Sequence, residues 1–151
     1  MSTSRWPPPP PLIGALIRVP AHAIHRRIIN ELNAAGFDDL RLPHMAVLQF
    51  PGPDGERPGA IAERAGMSKQ AMNQLLLSLE ASGYIARSAA AARDDARTRV
   101  VRLTRRGRAA YAKIADILRD IEREWIAELG PKPFADLKAL LIRVWQSPLA
   151  W

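Results

Sequence analysis

Lys69, Gln70, Asn73 and Gln74 follow Ser68 at a spacing that places them on one side of a helix. A lysine there can donate to guanine, and the carboxamides of glutamine and asparagine can form paired bonds with adenine in the major groove of a duplex. Ser68 is a good N-cap and fixes where that helix starts. Further along, Arg93, Arg97 and Arg99 belong to a run with seven arginines from Arg93 to Arg108. Arginine on a hairpin beside a reading helix can enter an adjacent narrow minor groove. Asp95, two residues before Arg97, can pair with a wing arginine and hold the hairpin tip in shape. The bland reading of the same residues is a helical hairpin with a solvated polar face and an incidental exposed acid.

Other chemistries find little support. There is no cysteine, so disulfides, thiolate metal sites and thiol redox sensing drop out. His22, His25 and His44 have no metal-ligand spacing to one another, although His22 and His25 could flank a pocket on one helix. No glycine-rich phosphate loop, nucleophile elbow or paired-carboxylate setting occurs. No catalytic residue, metal or cofactor is therefore expected. Asp116, Asp120, Glu122, Glu124 and Glu128 alternate with Arg119 and Arg123, the pattern of an exposed, ion-paired helix face. Trp125 and Trp145 fall on apolar stripes and are expected in a core or a subunit contact. The longest apolar runs, such as Ala139–Ile142, are too short to cross a bilayer, and no secretory leader is recognised, so a cytoplasmic protein is expected.

Charge is unevenly spread. The chain of 151 residues has a formal net charge of +7. Residues 1–56 carry five arginines and five acids, and residues 113–151 carry six bases and six acids. Residues 57–112 carry eleven basic side chains against Glu63, Glu80, Asp94 and Asp95, so the whole excess sits in the middle third. That is the electrostatic footprint expected of a surface for a polyanion.

These residues need elements to hold them. Residues 1–11, ending in Pro7 to Pro11, read as an extended or disordered tail. Leu12, Leu16, Val19, Ala23, Ile24, Ile28 and Leu32 recur at helical spacing, Pro20 must kink that helix or mark its start, and Gly36 closes it. A short helix is expected over Pro43–Gln49, a loop over Phe50–Arg57, and a helix over Pro58–Arg64. Ala62 is small enough for close packing and Gly66 can take the positive φ of a tight turn. The helix from Ser68 runs through Ala81, with Ala71, Met72, Leu75, Leu76 and Leu79 inward. Two extended runs, Tyr84–Arg87 and Arg99–Leu103, form a hairpin around a polar, arginine-rich loop. Thr104 can cap a long helix with the stripe Ile114, Ile117, Leu118, Ile121, Trp125 and Leu129. Gly130 and Pro131 stop it, and Phe134, Leu137, Leu140, Leu141, Val144 and Trp145 mark a last amphipathic helix.

Helix-turn-helix followed by a basic hairpin resembles the MarR (multiple antibiotic resistance regulator) family of winged-helix regulators. Three stretches carry the likeness: LRLPHMAVLQF, IAERAGMSKQAMNQLLLSLEASGYIAR and DDARTRVVRLTRRG. The last fits the family's wing signature at Asp95, Arg97, Leu103, Thr104 and Gly107, although the alanine run Ala89–Ala92 departs from the usual polar tip. The likeness spans roughly residues 12–146. It implies a mainly α fold with a small β-hairpin wing (α+β): a winged helix-turn-helix at 40–107, with helices at 12–36 and 108–151 forming a dimerisation region, all in one domain over 12–151.

The resemblance implies a homodimeric DNA-binding transcriptional regulator on a pseudo-palindromic operator, a repressor released by a small aromatic or phenolic ligand whose pocket residues are unknown. Ser68, Lys69, Gln70, Asn73 and Gln74 would face the major groove, Arg97 the minor groove, with Arg93 and Arg99 as further DNA contacts and Asp95 stabilising the wing. The rival is a winged-helix module that binds a protein or RNA without operator recognition.

Overall fold

Helices and hairpin follow the expected order in a computed structural model, which describes residues 11–49, 55–89 and 99–147. The expected tail, apart from Pro11, lies outside the described residues. Helix α1 spans Ile13–Ala34 and continues through Pro20. Pro20 therefore does not mark the start, and the helix forgoes one amide bond to the carbonyl four residues back. A 3-10 turn at Leu42–His44 leads into the short helix α2, Met45–Leu48. Helix α3 covers Pro58–Arg64 and α4 covers Lys69–Ala81.

Between them Gly66 takes φ +62°, and the Met67 N–H donates to the Ala62 carbonyl at 2.9 Å. This wraps the end of α3 and turns the chain into α4 without a side chain in the strained region.

The hairpin pairs β1, Ile85–Ala89, with β2, Arg99–Leu103, antiparallel from Ile85↔Leu103 to Ala89↔Arg99. It has a neighbour that the expected loop over Phe50–Arg57 did not include. Glu56 bridges Val101, with N–H···O contacts of 3.0 and 2.7 Å in the two directions. Residues 50–54 of that loop lie outside the described residues. Helix α5, Arg105–Leu129, and helix α6, Pro131–Trp145, complete the order, joined at Gly130.

Two compact units divide within α5, at 1–114 and 115–151. In the first, Ile28, Leu32, Leu40, Leu48, Ile61, Met72, Leu76, Leu79, Tyr84, Ile85 and Val101 are buried. Apolar exposure in this unit is concentrated around the start of α1, where Leu12, Ile13, Leu16, Ile17 and Val19 face outward. In the second, Ile117, Ile121 and Phe134 are buried, and Lys138 on α6 pairs with Glu122 on α5 at 2.7 Å. Of the expected stripe on α5, Leu118 and Trp125 are only half-buried and Leu129 is exposed. Helix α6 leaves Leu137, Leu140, Leu141, Ile142, Val144 and Trp145 exposed. Among the described residues no helix is long and apolar enough to cross a membrane.

Candidate nucleic-acid interface

Helix α4 is seated by its apolar side. Met72, Leu76 and Leu79 are buried while Ala71 and Leu75 are half-buried. Its start is set by Ser68, whose Oγ accepts the Ala71 N–H at 3.1 Å. With the inner face fixed, Lys69, Gln70, Asn73 and Gln74 are exposed on the other side. Among the described residues Lys69, Gln70 and Gln74 make no side-chain hydrogen bond to the protein, so their donors and acceptors are open to a ligand.

Asn73 differs. Its Oδ1 accepts from Arg87 Nη1 at 3.3 Å. Arg87 stands on β1 and gives its Nε and Nη2 to Glu80 Oε2 at 2.9 and 2.6 Å. That fork holds the Glu80 carboxyl below its usual range. Sequence reasoning did not single out Arg87 or Glu80. The available signal was that Asn73 and Glu80 are seven residues apart, two helical turns, and so share a face.

The hairpin is anchored to both flanking helices. The Thr104 hydroxyl donates to the Gly83 carbonyl at 2.6 Å and accepts the Gly107 N–H at 3.1 Å, capping α5. The Thr104 N–H donates to the Tyr84 carbonyl at 3.0 Å. A Cβ on Gly107 would lie 2.0 Å from that same carbonyl oxygen, closer than any real contact. The Leu103, Thr104 and Gly107 part of the wing signature is thus a packing requirement of the joint between α4 and α5.

Two further clusters were not foreseen. Tyr84 Oη donates to Asp39 Oδ1 at 2.5 Å, and Arg106 Nη2 meets the same carboxylate at 3.1–3.2 Å. Burial first, then the bond to Asp39, pushes the Tyr84 hydroxyl up to about 12. His44 is buried, its Nδ1 accepts the Arg41 N–H at 3.0 Å, and its Nε2 lies 3.5 Å from Ser78 Oγ on α4. Burial and the Arg41 charge push the imidazole below its ordinary value.

These pairs redistribute the basic excess. Arg64 meets Glu56 at 2.7 Å, Arg87 meets Glu80 and Arg106 meets Asp39, so part of the positive charge is answered within the protein. Lys69, Arg102 and Arg105 form no ion pair among the described residues. Arg99 is exposed at the start of β2. Arg93, Asp95 and Arg97, and with them the expected pairing of Asp95 with a wing arginine, lie outside the described residues. His22 is exposed and His25 half-buried, and among the described residues no group of three or more His, Asp or Glu is placed to hold a metal ion.

The sequence matches no family model and no curated protein sequence. Solved structures do match. A MarR family protein of Mycobacterium tuberculosis in complex with p-aminosalicylic acid is 28% identical with a TM-score of 0.63, over 89% of this chain and 98% of that one. The same M. tuberculosis protein in complex with DNA is 26% identical with a TM-score of 0.62, over 90% and 98%. The S. aureus protein MepR bound to ethidium bromide, at 21% identity and a TM-score of 0.61 over 87% and 93%, shares the fold.

Proposed function

We propose that this chain, which has the winged-helix fold of the MarR family and resembles it in motif, is a double-stranded-DNA-binding transcriptional regulator. The observation that carries the reading is the outer face of α4. Lys69, Gln70 and Gln74 project from a helix whose other side is buried, with no bond to the protein among the described residues, beside a hairpin that begins β2 with Arg99. Polar side chains of this kind on a fixed helix suit base edges in the major groove, and the exposed cations Lys69 and Arg105, unpaired among the described residues, suit phosphates. The DNA complex of the M. tuberculosis protein supports the same reading.

In its fuller form the proposal is a cytoplasmic homodimer that represses from a pseudo-palindromic operator. Residues 40–107 read the DNA, with Arg93, Arg97 and Arg99 on the wing and Asp95 steadying it. Residues 12–36 and 108–151 supply the dimerisation helices of a single functional domain, and the exposed apolar residues on α1 and α6 support that assignment. A small aromatic or phenolic ligand would release the DNA, a reading supported by the p-aminosalicylic acid bound to the M. tuberculosis protein. The role is binding, not catalysis.

Selecting bound duplexes from a random pool tests this. A recovered motif with two related half-sites is the expected result. A chain that enriches no DNA sequence and binds RNA or a protein instead would be the interaction module of the rival reading.

A further inference from the structure

Arg87 is the one side chain on the wing that reaches back to a candidate reading residue among the described residues, and its chemistry is one-sided. A guanidinium only donates hydrogen bonds. The Asn73 carboxamide must therefore turn its oxygen, not its NH2, toward Arg87, as the 3.3 Å contact between Nη1 and Oδ1 records. The guanidinium is not free to swing away. Its Nε and Nη2 are both taken by Glu80 Oε2, and the Arg87 backbone N–H also lies 3.4 Å from Glu80 Oε1. Glu80 is two turns along α4 from Asn73, so both anchor points ride on the same helix.

We infer that Arg87 is a specificity-determining positioning residue, which fixes the Asn73 amide with its NH2 outward and so makes it select an acceptor edge, guanine N7/O6 or thymine O4. The familiar pairing of asparagine with adenine needs both ends of the amide directed at the base, the oxygen accepting from N6 and the NH2 donating to N7. With Oδ1 turned toward β1 that pairing is disfavoured, and a base offering only acceptors is preferred. Gln70 and Gln74 carry no such restraint among the described residues and keep both ends available. The inference rests on the operator-binding reading, and the two fail in different ways.

The test begins with selection from a random duplex pool by the parent protein and by Asn73→Ala, which locates the base pair that Asn73 reads. Guanine or thymine is expected there, with a loss of preference in Asn73→Ala of about 5-fold, the low end for a base contact because only the NH2 end is engaged. In Arg87→Met the preference at that position should move toward adenine while the other positions hold. A second measurement needs no change at Arg87. Replacing the selected guanine by 7-deazaguanine, or the thymine by a base lacking O4, should weaken binding of the parent but not of Asn73→Ala. Adenine at that position, with binding lost when its N6 amino group is removed, overturns the inference and leaves the regulator reading intact. So does an Arg87→Met protein that binds more weakly with unchanged base preference, since that is all a purely structural arginine would do. A pool in which no position responds to Asn73→Ala overturns it as well. Recovery of no DNA motif at all removes the regulator reading itself.

Discussion

Arg106 lies over the Tyr84 ring, with its guanidinium carbon 4.5 Å from the ring centroid, and both side chains converge on the Asp39 carboxylate. A second Arg106 nitrogen donates to the Ser82 carbonyl at 3.2 Å. The segment after α1, the end of α4 and the first turn of α5 are thereby tied at one point. Replacing Tyr84 by Phe keeps the ring under Arg106 and removes one donated bond to a half-exposed carboxylate.

Tyr84→Phe should therefore cost about 1.5 kcal/mol near neutral pH, at the low end for a bond to a charged group. The pH dependence has a definite sign. Tyr84 binds its proton more tightly in the folded chain, at about 12 against an ordinary 10. Its contribution is fully present below 10 and is lost as the pH rises through 12. Urea unfolding of the two proteins should show a gap that closes across that window.

Gly107→Ala should be costly, because the new methyl meets the Tyr84 carbonyl oxygen, a backbone atom that cannot step aside. The loss belongs at the top of the ~1–3 kcal/mol range for overpacking, or beyond it. Gly59 is the control. It lies within α3 and a Cβ there would meet nothing within 4 Å. Gly59→Ala should be stabilising by about 0.4–1 kcal/mol, read from the same urea midpoints.

His44 predicts an acid-side effect. Its folded-state proton affinity is depressed, by burial first and by Arg41 next, with Asp39 acting the other way. The unfolded chain then binds the proton more readily, so stability is present above the ordinary value of 6.5 and falls as the pH drops below it. Protonation would also place a hydrogen on Nδ1, where the Arg41 N–H now donates. His44→Gln should flatten the part of the decline in urea stability just below that value. An equal decline in both proteins would assign it to other groups.

The operator complex should be strongly salt-dependent. With about six to ten phosphate contacts per dimer, affinity should fall about a thousandfold or more between 50 and 200 mM salt. Light scattering on the free protein should give a particle twice the 16.7 kDa of one chain. A particle of one chain's mass, or a flat salt response in a DNA titration, contradicts the assembly or the phosphate surface respectively.

What could be read from the sequence was mostly short-range. Ser68 and Gly66 act on atoms a few residues away, as does Thr104 where it caps α5 at Gly107, and types at such spacings carry their own geometry. Apolar periodicity placed the long helices α1, α5 and α6, while Pro58 and Gly66 marked the ends of α3 and Ser68 the start of α4. Contacts between distant segments were not legible. Asp39 and Arg106 are 67 positions apart, and nothing in either neighbourhood names the other. Glu56 was hidden differently: it follows a run of prolines and glycines that reads as loop, while its pairing is decided by Val101 on another strand. Among the reading candidates, composition gave Asn73 and Gln70 the same standing. Only the position of β1 beside α4 separates them.

The Thr104 hydroxyl, which bonds forward to Gly107 and back to Gly83, makes a welded elbow of the end of α4 and the beginning of α5. Gly107, pressed against the Tyr84 carbonyl, leaves that elbow no slack in which a tilt of the first turn could be dissipated. A tilt of the first turn of α5 is therefore passed directly to Gly83, at the end of α4. The last turn of α4 and the first turn of α5 should accordingly exchange their amide hydrogens as a single cooperative block.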